Sequence, residues 1–312
     1  MKRMSIWILL TVMFFPLMAQ SAADASSMAM RVLVEEPIEP FPATAKTQLE
    51  TKLNALLLKN GVVAMDYLGQ FFITVRVIPT TKDILPGPPM QISERMDFIF
   101  YIADYYSHIV YSTTSMSSIG VGSTEAKCYL DAIKKLNINS SALADFISEG
   151  KTKILEYYNT QADRIFLQAR TLAKRHEYEQ ALYLVQSIPA ECSRYSDAIA
   201  AGNEIFQQYI DYQCDANLNE ARLVWMSGQN AIAADNAAVY LAGIYPEAKC
   251  YGEAQKLYQE MKAKVHEDWK FEMKKYQDGV DLERARIQSW REVGVAYGKG
   301  QQPTTTNIGF LH

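Results

Sequence analysis

The chain has 312 residues, 49% of them hydrophobic, and carries 31 basic against 35 acidic residues for a formal net charge of −4. That length supports two domains rather than one core. Its charges are scattered and slightly acidic, which excludes the basic stripe of a nucleic-acid surface.

Lys2 and Arg3 precede an apolar run from Ile6 to Ala19, and the small residues Ser21, Ala22 and Ala23 follow it. This order reads as a cleavable signal peptide over residues 1–23. The run is shorter than the roughly 20 residues a membrane span needs, and Pro16 interrupts it. No cysteine follows it for acylation, and no second long apolar run appears, so the exported chain is expected to be soluble, without an integral membrane segment. Cys128, Cys192, Cys214 and Cys250 would then meet an oxidising compartment, where bridges and buried free thiols both remain open. One helix joining Cys192 to Cys214 would hold them about 30 Å apart and exclude that pair.

Met30 to Val34 forms a short β-type run halted by Pro37, Pro40 and Pro42. Leu49, Leu53, Leu56 and Leu57 recur at helical spacing, and Asn60-Gly61 supplies a stop. Phe71, Ile73, Val75 and Val77 alternate with Phe72, Thr74 and Arg76, predicting a half-buried strand. Ile84 to Pro89 reads as an extended connector, because its prolines lack amide donors. Met96 to Ile102 and Ile109 to Ile119 then form a hairpin of two long strands closed by Gly120 and Gly122. Ser123-Thr124-Glu125 caps a helix carrying Ala126, Tyr129, Leu130, Ile133 and Leu136 on one face. The expected fold class is therefore α+β: a helix-on-antiparallel-sheet domain over residues 24–139 with the order β-α-β-β-β-α, then an all-α domain.

From residue 140 to 300 strand signals stop and helical periodicity takes over, ending in one long helix from Tyr251 to Val293 that Asp278-Gly279 bends or divides. Residues 301–312 read as a flexible tail. Ala181-Leu182-Tyr183-Leu184-Val185, Pro189, Cys192, Tyr195 and Ala198 are echoed by Ala238-Val239-Tyr240-Leu241-Ala242, Pro246, Cys250, Tyr251 and Ala254, about 57 residues on. Each unit reads as a short helix, a Pro-containing turn and a longer helix. Stacked units of this kind present a long surface suited to other chains.

No catalytic, metal or cofactor constellation emerges, and none is expected. The four histidines, His108, His176, His266 and His312, lack metal spacing, since Lys270 stands where a zinc-protease motif begun at His266-Glu267 needs its second histidine. Gly120-Val121-Gly122 lacks the third glycine of a dinucleotide loop. Tyr105, Tyr106 and Tyr111 gather at the hairpin turn, either as an exposed partner-contact patch or as padding of the sheet. Trp225, Trp269 and Trp290 read as repeat core.

His176-Glu177-Tyr178-Glu179-Gln180-Ala181-Leu182 resembles the turn of a tetratricopeptide repeat, a family in which residues placed like Tyr178 and Ala181 pack two helices together. The 57-residue period departs from that family's roughly 34, so the likeness is to a longer-helix variant. The internal echo marks Tyr183, Pro189, Tyr240, Pro246 and Tyr251 as further repeat-packing positions. The strand at 109–119, its Gly-x-Gly step and the following helix are similar to small α/β domains of bacterial envelope assembly proteins. Together these resemblances imply a bacterial periplasmic or outer-membrane-associated protein that binds other envelope proteins, and they bring no catalytic residues. The expected role is a non-enzymatic scaffold, periplasmic, outer-membrane-associated or secreted, that binds envelope proteins or itself. The alternatives are a structural subunit of a larger extracytoplasmic assembly and a secreted hydrolase with a dispersed triad.

Overall fold

The computed structural model describes residues 28–34, 42–64, 70–105, 107–265, 269–275 and 282–301. The segment expected to be a signal peptide, Tyr106, His266, Asp278-Gly279 and residues 302–312 of the expected tail lie outside the described residues.

Strand β1 (Ala29–Val34) leads to helix α1 (Ala43–Lys59), and Gly61, at φ 68°, turns the chain into the two-residue strand β2 (Val63–Ala64). Strands β3 (Phe71–Leu85), β4 (Gln91–Asp104) and β5 (Val110–Gly122) form an antiparallel meander, and the sheet order is β2-β1-β3-β4-β5, with β1 parallel to β2 and β3. Ile73, Val75 and Val77 lie opposite Ile102, Phe100 and Phe98, so one sheet face is a continuous apolar surface. Helix α2 (Glu125–Lys135) is capped by Thr124, whose side chain accepts the Lys127 N–H. At the end of α2, the Lys52 ammonium of α1 donates to the Leu136 carbonyl at 2.9 Å, tying the two helices together.

Two sequence expectations are corrected here. Ile84 and Leu85 pair with Ile92 and Gln91, so the ladder runs on to a hairpin turn confined to residues 86–90. The ladder tolerates Pro79 because the register shifts between Pro79 and Thr81, where no amide donor is required. The start of β3 is also buried on both faces, since Phe72 packs with Leu33 and Ala103 in a small second cluster. Gly120, for its part, does more than end a strand. A Cβ there would stand 1.9 Å from the Cys128 carbonyl oxygen, so only glycine lets α2 lie so close to β5.

Helix α3 (Ser141–Lys174) starts directly after the expected boundary at residues 139–140, yet the core runs across that point. Its first turns lie on the sheet: the Phe146 ring lies tilted against that of Phe100, centroids 6.3 Å apart, and Gly150 fits against Ile102, whose side chain a Cβ would strike at 2.5 Å. Beyond α3 come the short α4 (Tyr178–Gln186), the long α5 (Tyr195–Gly228), the short α6 (Ala231–Leu241) and α7 (Tyr251–Lys264).

Two of these helix-turn segments share hydrogen bonds and burial, in a register different from the sequence echo. The Cys192 N–H bonds the Pro189 carbonyl as the Ala248 N–H bonds that of Tyr245, and the Tyr195 and Tyr251 N–H groups bond the Cys192 and Ala248 carbonyls. Asn159 Oδ1 accepts the Ser193 N–H at 2.9 Å, just as Asp211 Oδ1 accepts that of Lys249 at 2.8 Å. Short helix and turn therefore match at 56 residues, and the long helices at 52. In that register Ile154, Tyr158, Ala162, Phe166, Ala169 and Ala173 correspond to Phe206, Ile210, Cys214, Leu218, Ala221 and Trp225, and every one is buried. Cys192 is thus the counterpart of Ala248, and Cys250 that of Arg194. Pro189 and Pro246 do not correspond, because a turn accepts proline wherever the amide is unused.

Cys214 and Cys250 form the disulfide, joining α5 to the start of α7, while Cys128 and Cys192 are free and buried. The excluded pair, Cys192 with Cys214, is indeed unpaired, and α5 is continuous through Cys214.

The single long last helix is also corrected. Helix α7 ends at Lys264, and residues 269–275 are non-helical. Trp269, Phe271 and Met273 alternate at the spacing of an extended chain; Trp269 and Phe271 lie on Tyr258, whose hydroxyl donates to the Phe271 carbonyl. Helix α8 (Leu282–Gln301) then packs back on α4 and α5, burying Trp290.

Candidate binding surfaces

Where the sheet meets α3, the last residue of β4 is Asp104, fully buried. Its carboxylate accepts hydrogen bonds from the Tyr158 hydroxyl at 2.8 Å, the Gln70 amide at 2.8 Å and the Ser107 N–H at 3.2 Å. Three donors satisfy a buried charge that would otherwise be costly, and they fasten α3 to both strand ends. Burial, reinforced by the charge of Asp104, pushes the Tyr158 and Tyr111 hydroxyls well above their ordinary range, so both stay protonated. Beside this clamp a cleft of about 260 Å³ is lined by Ser107, Tyr157, Arg164 and Gln168 among others. A second cleft, of about 400 Å³, lies between Phe71, Ile188, Tyr195, Trp290 and Arg291; Gln70 and Tyr183 line both.

The hairpin tyrosines divide. Tyr111 is 4% exposed, its ring set edge-on to Phe71 and Tyr157, so it is sheet packing and not a contact surface. Tyr105 is half-buried, edge-on to Phe72.

Among the repeat positions, Ala181 is fully buried and Tyr178 is 7% exposed. The Tyr178 ring meets Tyr209 and Tyr212 of α5, linking one unit to the next. Tyr183 lies under α8, 5.7 Å from the Tyr297 ring. Tyr240 and Tyr251 are half-buried, and the Tyr251 hydroxyl donates to the Lys274 carbonyl; Pro189 and Pro246 sit in the two turns. Trp225 donates to Glu260 at 3.0 Å and Trp269 to Asp235 at 2.8 Å.

One group of residues escaped the sequence reading. His176, at φ 64°, stacks on Tyr212 with centroids 4.7 Å apart and shares a 3.0 Å hydrogen bond with the Tyr178 hydroxyl. Together with Tyr209 and Tyr297 these rings line a hollow of about 330 Å³, and Glu177, Glu179, Gln180 and Gln213 complete its wall. Burial, then the nearby Glu179 carboxylate, pushes the Tyr209 hydroxyl up. Tyr209 and Tyr212 share one face of α5, a legible spacing, but Tyr297 arrives from α8 with no local signal.

Among the described residues no group of three or more His, Cys, Asp or Glu is placed to hold a metal ion, and no helix is long and apolar enough to cross a membrane. No family model matches the chain, and no curated protein matches it. Among solved structures, a minor lipoprotein from Acinetobacter baumannii is similar over 44% of this chain and 94% of its own length, at 16% identity and a TM-score of 0.23. A likeness of that size transfers neither fold nor function.

Proposed function

We propose that the chain is an exported, non-enzymatic binding protein of the bacterial envelope, periplasmic or outer-membrane-associated, built on a longer-helix relative of the tetratricopeptide repeat. Its partners are other envelope proteins or a second copy of itself.

The observation that carries this reading is a difference between equivalent helices. Helix α4 is covered by α8, which lies over Tyr183. In the 56-residue register the counterpart of Tyr183 is Val239 on α6, and it is 72% exposed, with Ile232 at 73% on the same helix. Leu223 and Met226, at the end of α5, are 63% and 70% exposed. Scattered single apolar residues need no explanation, but Ile232 and Val239, seven apart and so on one face of α6, give that helix an exposed apolar face suited to a partner, and Leu223 and Met226 add exposed apolar area on α5. The way α8 rests on α4 is the precedent for the occupant, an amphipathic helix laid along α6.

Mild crosslinking in native envelope, followed by purification and identification of the linked chains, tests the proposal. A reproducible set of envelope proteins, lost on Ile232→Asp/Val239→Asp substitution, is the expected result. Recovery of the protein alone as a strict monomer would contradict it.

A further inference from the structure

The hollow at the α3–α4 turn combines three features that select a ligand. Its walls are rings: His176 and Tyr178 from the turn, Tyr209 and Tyr212 from α5, and Tyr297 from α8. Its charged lining is acidic only, with Glu177 and Glu179 and no lysine or arginine among its lining residues. Glu177 is engaged by Arg175 at 2.7 Å, whereas Glu179 makes no ion pair among the described residues. Finally, Gln180 and Gln213 supply neutral amide oxygens as further acceptors.

Aromatic faces attract a cation through the ring quadrupole, and a neighbouring carboxylate adds a charge-assisted hydrogen bond. His176 and Tyr212 lie nearly parallel, 22° apart, so their exposed edges and faces suit a flat cation better than a round one. The chain itself places guanidinium groups on rings elsewhere: Arg194 stands 5.7 Å from the Phe166 centroid, and Arg291 5.9 Å from that of Tyr195.

We propose that this hollow is a binding site for a guanidinium group, the side chain of an arginine presented by a partner polypeptide. The inference deepens the binding-protein reading and rests on it only for the source of the arginine. The planar cation enters among Tyr209, Tyr212 and Tyr297, and Glu179 accepts its hydrogen bonds.

The test is a proton NMR titration of the full exported chain with N-acetyl-arginine methylamide, following the His176 ring resonances, which a His176→Gln variant identifies. The citrulline analogue, of the same shape without the charge, is the control, and tetramethylammonium is the second. Saturable His176 shifts with the arginine compound are expected, with affinity about tenfold weaker for citrulline, a difference of about 1.4 kcal/mol. Glu179→Gln should weaken arginine binding several-fold with an unchanged melting temperature, and Tyr212→Ala, a change at a side chain 46% exposed, should do the same. Equal shifts with citrulline, or no His176 shift at tens of millimolar arginine compound, would overturn the proposal. Tighter binding of tetramethylammonium would overturn the guanidinium assignment in favour of a quaternary amine. Because the probe is a small molecule, a failed titration removes the pocket without touching partner capture, and failed capture does the reverse.

Discussion

The two repeat units bury the same positions but are fastened differently. In the first, the half-buried Arg194 bridges the exposed carboxylates of Asp163 at 2.7 Å and Asp197 at 2.5 Å. In the second, the position of Arg194 is Cys250, and it is bonded to Cys214, where the first unit has Ala162. Helix α8 covers the short helix α4 of the first unit, whereas in the second the non-helical segment 269–275 lies on Tyr258 of α7 and leaves Ile232 and Val239 of α6 exposed. The shared framework is set by buried side chains and turn hydrogen bonds, while the means of closure varies freely at exposed positions. Exposed ion pairs contribute little, so replacing one by a covalent bridge changes stability without changing the fold.

The largest difference expected on mutation lies at the end of the long helices. Trp225, 1% exposed, occupies the site that Ala173 fills in the first unit. Trp225→Ala should cost about 3–5 kcal/mol in urea unfolding, since it empties a large buried volume and strips Glu260 of its donor. A loss below about 1 kcal/mol would show that the second unit does not depend on its tryptophan.

Next in size is the bridge. Cys214 and Cys250 are 36 residues apart, and replacing both with alanine should lower stability by about 2–4 kcal/mol, mainly by freeing the unfolded chain. Reductant should produce the same shift in the native protein and none in the double variant. Thermal melts with and without dithiothreitol decide this.

The smallest effect belongs to the ion pair. Hydrogen bonding and charge from Arg194 hold the Asp163 carboxyl below its usual value. A lowered folded pKa contributes stability that is present above the unfolded value of about 3.9 and is lost as pH falls through the lower folded value. Arg194→Gln should therefore flatten the fall in melting temperature below about pH 4 and leave the reduction sensitivity of the second unit unchanged. An identical acid profile in both proteins would remove the pair from the comparison.

Much of this architecture was legible in the sequence, and the failures share a cause. Strands β3 to β5, the Thr124 cap and the helical second half follow from period, cap and breaker signals that act locally. The short and long helices were legible in the sequence, but the register in which their turns correspond was not. Matching letters drew Cys192 to Cys250 and Pro189 to Pro246, whereas the turn hydrogen bonds align Cys192 with Ala248, a pair alike in burial and not in name. Trp269 and Met273, four apart, read as one helix face, whereas with Phe271 between them they also alternate as an extended strip, and contact with Tyr258 on α7 decides for the strip. The tyrosines singled out at the hairpin include Tyr111, which is core, while the aromatic hollow depends on Tyr297 joining residues some 85 to 120 positions away, beyond any local pattern.

Equivalence of the two helix pairs in the 56- and 52-residue register can be tested by moving the disulfide from the second to the first. Ala162→Cys/Arg194→Cys should create a bridge between positions 162 and 194 on air oxidation, seen by non-reducing peptide mapping, with a melting temperature that becomes sensitive to reductant. Cys192 stays in place as the competitor that the sequence echo favours. A bridge from position 162 to Cys192, or free thiols at both new positions in the folded protein, would contradict the register.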